Sequence, residues 1–240
     1  ERPRKQTEDN NKETTQIMKN CTLLAAAIAI PASIAYAQDT DKSKWKDVGI
    51  EFPKPMFVGT PVKAVRPNLD TSKKPRLELK APDGVENLAL GLEVTSSDSA
   101  PIIGDLEMIT DGDKDGADGS YTELGPGKQW VQIDLENEAA IYGIVMWHFH
   151  KNARAYDDIV VQISNDPEFK KDVQTVFNND HDNSAGLGMG KDKEYIETNG
   201  GKLVKGKKEK ARYIRLYSNG NTTNDMNHYI EVEVWGKKPS

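Results

Sequence analysis

Cysteine is almost absent: the chain of 240 residues has one, Cys21. No intramolecular disulfide framework is possible, so core packing or a bound metal must hold the fold together. The four histidines stand at no zinc-signature spacing. Long apolar runs are missing too. The longest, 23–30, falls short of the ~20 residues a membrane-spanning helix needs, and Pro31 interrupts it. Positive charge is not in excess, since 32 basic residues face 38 acidic ones for a net charge of -6. That balance speaks against nucleic acid and anionic membrane surfaces as partners. Neither a Gly-x-Ser-x-Gly elbow nor a metalloprotease helix is present. Gly186-Leu187-Gly188-Met189-Gly190-Lys191 lacks the Ser or Thr after lysine that a phosphate loop requires.

What is there begins with a leader. From Met18 a basic tip at Lys19, the apolar run 23–30 and Ala35-Tyr36-Ala37 form a secretory signal pattern. Cleavage is expected between Ala37 and Gln38, with residues 1–17 an upstream-start artefact. Cys21 lies inside the signal, without the small and apolar residues of a lipoprotein box, so no lipid anchor is expected. Removing residues 1–37 takes away five basic and four acidic residues and leaves a net charge of -7. The mature protein is expected to be secreted or periplasmic.

Residues 38–84 form a polar linker and a proline-rich strap. Six of the twelve prolines lie between Pro53 and Pro82. Proline fixes φ and removes a backbone donor, so no central strand or helix is expected there. Interspersed Phe57, Val58, Val62, Val65, Leu69, Leu77 and Leu79 predict that the segment lies along the domain rather than linking it.

From residue 85 onward, short turn-punctuated runs replace any sustained helical period. Segments 130–135, 140–149, 159–164, 173–177, 212–217 and 229–235 read as strands, with another near 90–95. Gln129-Trp130-Val131-Gln132-Ile133-Asp134-Leu135, Ala211-Arg212-Tyr213-Ile214-Arg215-Leu216-Tyr217 and Tyr229-Ile230-Glu231-Val232-Glu233-Val234-Trp235-Gly236 alternate apolar with polar residues. Upstream stands Asn87-Leu88-Ala89-Leu90-Gly91, followed by Val94-Thr95-Ser96-Ser97. Over 85–236 these phrases, in this order, resemble the discoidin or coagulation factor V/VIII C-type family, which includes many bacterial carbohydrate-binding modules. The resemblance implies an all-β jelly-roll β-sandwich of the galactose-binding type over 85–237.

The sharpest chemical feature is the stretch Asp111-Gly112-Asp113-Lys114-Asp115-Gly116-Ala117-Asp118-Gly119-Ser120. Four carboxylates and three glycines in ten residues suit calcium, which takes six to eight oxygens. The opening matches an EF-hand loop, yet position 12 is Thr122 and no helices flank it. A solvated acidic turn is the alternative. The family resemblance implies a structural calcium bound by Asp111 and Asp113, with Glu231 from the last strand closing the site. Asp115, Asp118, Ser120 and Glu233 are not placed by it.

Three segments have the polar and aromatic content of a sugar site: 148–156, 178–190 and 218–228. Strand alternation sets His148 and His150 on one side. The resemblance implies ligand contacts from His150 and Arg154, with His181, Asn183 and Asn221 as further candidates. Hydrogen bonding at a sandwich edge would equally explain the histidines, Arg154 could pair with Asp157 or Asp158, and the asparagines could serve turn geometry. Arg212 and Arg215 are expected to be surface partners of nearby carboxylates. The expected function is non-catalytic, calcium-stabilised binding of a polysaccharide or cell-surface glycan, with neither nucleic acid nor membrane insertion. The alternatives are a small jelly-roll polysaccharide lyase or hydrolase using His150, Arg154 and Tyr156, and a protein-interaction module.

Overall fold

The protein is described by a computed structural model that covers residues 41–56, 66–72 and 78–239. The expected leader at 18–37 lies outside the described residues, as do 57–65 and 73–77 of the strap. All the described residues belong to one compact unit, within 35–240.

In chain order the strands are β1 (Lys46–Asp47), β2 (Lys80–Ala81), β3 (Glu86–Asn87), β4 (Val94–Ser96), β5 (Thr122–Leu124) and β6 (Gln129–Trp147). They continue as β7 (Val160–Ser164), β8 (Gln174–Asn178), β9 (Lys202–Ser218), β10 (Asn227–Tyr229) and β11 (Glu231–Lys237). The only helical pieces among the described residues are short 3-10 turns at Lys42–Lys44 and Leu106–Ile109. No helix among the described residues is long and apolar enough to cross a membrane. The main sheet has the order β3-β11-β6-β9-β7-β8, with β4 also on β6. All of its pairs are antiparallel. The described residues are thus all-β apart from the two short turns, as expected.

The expected strands 130–135 and 140–149 are one strand, β6, which ends at Trp147. Its register against β9 shifts between Asp134 and Ala139, where Glu136 has a φ of 65°. Val131, Ile133 and Leu135 before the shift and Ile141, Ile144 and Met146 after it enter the same core. The ribbon therefore folds over at the shift, its two halves enclosing the core between them. Each of these side chains, withdrawn from water, contributes on the order of 1.5–3 kcal/mol.

The outward face of the second half is covered as well. Trp45, Val48 and Val85 pack on Ala140 and Tyr142, and Ile50, Leu203 and Trp235 pack against Val145 and Trp147. Residues 140–147 are apolar without alternation because both faces are buried. Residues 41–47, expected to belong to a mobile polar linker, instead extend the strap along the sandwich together with 48–50, tied down by β1 pairing with β2. Arg212 pairs with Asp134 (Nε to Oδ1 2.7 Å, NH2 to Oδ2 2.8 Å), as expected of a surface partner. Arg215 instead donates to Gln132 Oε1 and Pro167 O, with its guanidinium 4.3 Å from the Trp130 ring and 4.2 Å from Phe169.

Candidate functional site

Because β6 ends where β11 begins, and β9 ends where β7 begins, the long loops meet at one end of the sandwich. Glu231 lies opposite Trp147, and Tyr217 opposite Val160. Tyr156 bridges Asn221, Ala155 N donates to Thr222 Oγ1 at 3.1 Å, and Glu197 N donates to Arg154 O at 2.8 Å. The first and third segments thus lie together, and Asp158, which accepts from both Ser184 Oγ and Asn219 Nδ2, ties the second to the third.

The acidic loop is built by its own Asx turns. Asp113 N donates to Asp111 Oδ1 at 2.8 Å and Asp115 N to Asp113 Oδ1 at 2.9 Å. Gly112 N donates 3.1 Å to Glu231 Oε2 across the fold. Asp111, Asp113, Ser120 and Met108 line a cavity of about 40 Å³. Glu231 is fully buried, and its Oε1 has no hydrogen-bond partner. Burial first, then the charges of Glu233 and Asp111, push its carboxyl up to about 9. Of the other acidic groups, Asp118 pairs with Lys151, and Glu233 pairs with Lys114 and accepts from Trp235 Nε1 at 2.8 Å. Asp115 is exposed.

His150 braces this loop. It is fully buried, and its Nε2 donates to Lys114 O at 2.9 Å. Gly116 fits because a Cβ there would come 2.5 Å from Ile230 Cδ1 and 3.8 Å from His150 Nε2.

Beside the loop runs a buried polar chain. His148 Nδ1 lies 3.2 Å from Glu197 Oε2, and its ring stacks on Tyr156 at 4.4 Å. Tyr156 Oη lies 3.0 Å from His228 Nδ1, and His228 Nε2 lies 2.8 Å from Glu123 Oε2. A carboxylate only accepts, so His228 carries its proton on Nε2 and takes the Tyr156 hydroxyl on Nδ1. Burial first, then the charges of Arg154 and His148, lower the pKa of His228 to about 3. Burial raises Glu123, against the charge of Arg154. The short contact is therefore a hydrogen bond from neutral imidazole, not an ion pair, near neutral pH.

Arg154 completes the cluster at 5% exposure. Its Nε donates to Asn152 Oδ1 at 2.9 Å, and its guanidinium lies 4.7 Å from the Phe149 ring. Its NH1 is buried without a partner. Asp157, one expected partner of Arg154, pairs with Arg66 instead, and Asp158 accepts from Ser184 and Asn219. Tyr121 packs edge-on against Phe149 at 4.9 Å, both rings half-buried. Arg154, Phe149, Tyr121, Glu123 and His228 thus gather at the loop end, with exposed Asn152 beside them.

The remaining candidates lie elsewhere in these loops. Asn221 is buried and folds its own turn, accepting from Thr223 N and donating to Asn224 Oδ1 and Met226 O. Asn183, with φ 62°, is exposed and accepts from Gly188 N at 2.7 Å. His181 is half-buried next to Asp158, Asp180 and Asp182, whose ligand atoms lie within 4.8 Å of one another. Both Asp180 oxygens accept from backbone N–H groups of Ser184 and Ala185, so turn geometry accounts for that trio. The sequence did not single out Tyr121 or Glu123, and it placed His228 only at the end of the third segment. The signal for them is the register of β5 against β10, which sets Glu123 opposite His228.

Among curated proteins no sequence relative matches. Solved structures with similar architecture include the family 32 carbohydrate-binding module of AlyQ in complex with 4,5-unsaturated mannuronic acid. It has 18% identity and a TM-score of 0.44 over 60% of this chain and 95% of that one. A chitosan-binding module from a Paenibacillus sp. IK-5 chitosanase/glucanase has 19% identity and a TM-score of 0.44 over 63% and 99%. A family 89 glycoside hydrolase of Clostridium perfringens has 18% identity and a TM-score of 0.47 over 63% and 15%. Residues 108–216 match the family model described as F5/F8 type C, NedA-like, galactose-binding domain. That span runs from the acidic loop through the β6–β9 ribbon. The β-sandwich built around these residues is similar to the F5/F8 type C, NedA-like galactose-binding domains.

Proposed function

We propose that the chain is an exported, non-catalytic glycan-binding module, with its ligand site at the loop end and a structural calcium in the loop 111–120. The observation that carries the reading is Arg154, whose buried NH1 lacks an acceptor beside half-buried Phe149 and Tyr121. An unmet buried donor costs about 1–3 kcal/mol, which a sugar hydroxyl or carboxylate oxygen would recover. The half-buried aromatic rings supply apolar surface for a sugar ring. The groups a lyase or hydrolase would need are held internally: His150 on Lys114 O and Tyr156 on His228, with burial raising the phenol further from ionisation. That supports binding over catalysis. Export rests on the leader pattern at 18–37.

The residues proposed for calcium are Asp111, Asp113 and Glu231, with Ser120 in the same cavity wall. The fit rests on Glu231, a buried carboxyl group with one oxygen unpartnered and its pKa raised, whose proton a bound cation would displace. A hard cation would take that oxygen and replace repulsion by attraction. Its contribution would be structural, holding the loop between β11 and His150.

A glycan array followed by affinity electrophoresis in polysaccharide gels tests the reading. Retardation by at least one polysaccharide is expected, with a Kd from millimolar to micromolar, about -4 to -8 kcal/mol. Arg154→Ala should abolish retardation while the circular dichroism spectrum is kept. Release of reducing ends or unsaturated products would replace binding by catalysis. Retention unchanged in Arg154→Ala would move the site away from the loop end.

A further inference from the structure

On the outward face of the sandwich, away from the loop end, the strap and β9 enclose a cavity of about 740 Å³. Five lysines line it against one acid, Glu78, which Lys80 already holds at 3.6 Å. This is positive charge concentrated on a chain whose net charge is -6. Two aromatic rings form part of the wall: Trp45 and Tyr142 meet edge-on at 5.7 Å. The Trp45 indole N–H is buried and has no acceptor.

A local irregularity of β9 creates the site. Ile141 faces Glu209 and Gly143 faces Lys205, so Gly206, Lys207 and Lys208 together oppose Tyr142 alone. Gly206 is required, since a Cβ there would lie 2.4 Å from Ile141 O. Lys208 adopts a φ of 68°, which costs on the order of 1 kcal/mol or more for a residue with a side chain. The bulge places Lys208 Nζ 5.0 Å from the Trp45 ring and 5.9 Å from Tyr142, while Lys42 Nζ lies 5.5 Å from Trp45. Bulges that re-aim side chains in this way are concentrated at functional sites.

We propose that this cleft is a second glycan site, one that takes a uronic-acid residue of an acidic polysaccharide. A sugar ring would lie against the Trp45–Tyr142 wall, with its carboxylate among Lys42, Lys205, Lys207 and Lys208. Each ammonium is a compact donor suited to an isolated carboxylate. A nucleic acid fits less well: one edge-on ring pair is not the succession of stacking platforms that single strands use. The inference rests on the glycan-binding reading for the class of ligand but uses none of the loop-end residues.

The test is calorimetry on the full chain with an oligouronide, a neutral oligosaccharide of equal length and a single-stranded oligonucleotide. Lys205 and Lys207 are exposed, so Lys205→Gln with Lys207→Gln removes two charges without opening the core. Oligouronide affinity should fall about tenfold in this double variant. It should fall again on adding Lys42→Gln and weaken as salt rises. Neutral-glycan retention should be unaffected, and Arg154→Ala should leave a component of oligouronide binding intact. If oligouronide binding falls with the lysine variants while Arg154→Ala changes the retention of no glycan, the cleft stands and the loop-end reading falls. Oligouronide binding that ignores the lysine variants, is absent, or is matched by the oligonucleotide overturns the proposal.

Discussion

His228 is held between Tyr156 and Glu123, with the guanidinium of Arg154 nearby, and its pKa falls from the ordinary 6.5 to about 3. A histidine kept neutral in the fold binds fewer protons than in the unfolded chain between those two values. Stability is therefore lost as pH falls below about 6.5, progressively towards 3. Each unit of such a shift is worth at most about 1.4 kcal/mol. The melting temperature of the wild type should drop more steeply between pH 6.5 and 4 than that of His228→Gln, which cannot titrate. At pH 7 the variant should be about 1 kcal/mol less stable through its lost hydrogen bonds. Parallel melting curves across that pH range would show that His228 titrates normally. The sequence revealed that polar and aromatic side chains crowd 148–156, but not that His150 turns inward to Lys114 O or that Tyr156 reaches His228. A period of two says which residues share a face. It does not say which loop then covers that face.

Among the elements, the acidic loop makes the clearest demand. Calcium that binds only the folded loop stabilises it by RT ln(1 + [Ca]/Kd), about 2.7 kcal/mol at a hundredfold excess over Kd. For a domain of this size that is roughly 5–10 °C in melting temperature. Chelator should remove the increment, and Asp111→Ala or Asp113→Ala should make chelator irrelevant. Glu231→Gln should also lower calcium affinity, yet raise the stability of the metal-free protein by relieving a buried carboxylate. A melting temperature that no chelator moves, with no metal in the purified protein, would leave the loop a solvated turn.

Strands were legible where one face is dry, as at Val131, Ile133 and Leu135. The first half of β9 was not. The expected strand began at 212, whereas β9 begins at Lys202, and within 202–210 only Val204 is buried among the lysines. That stretch is a strand because β6 offers it a partner, which a local pattern does not record.

At the scale of the whole molecule, the strap makes the ribbon a buried layer instead of a surface one. Trp45 and Val48 pack on Ala140 and Tyr142, and Ile50 packs with Val145 and Trp147. The interspersed apolar residues of the proline-rich segment predicted a segment laid along the sandwich, and Leu79 is indeed buried in it at 3% exposure. Where it would lie was not legible, because proline-rich backbone has no period to match against a face. Removing residues 1–56 would leave Tyr142 and its neighbours facing water. The three apolar side chains of the strap each contribute on the order of 1–2 kcal/mol. Their loss should lower the melting temperature by about 10 °C and expose apolar surface that binds a hydrophobic dye. The loop end is built from residues 108–230, so glycan retention governed by Arg154 should survive at temperatures where the truncated chain stays folded. Oligouronide binding should vanish, since Trp45 and Lys42 leave with the strap. A truncated chain that melts like the full one would mean that the strap rests on the sandwich without supporting it. One that loses both binding activities while remaining folded would mean that the two sites are a single surface.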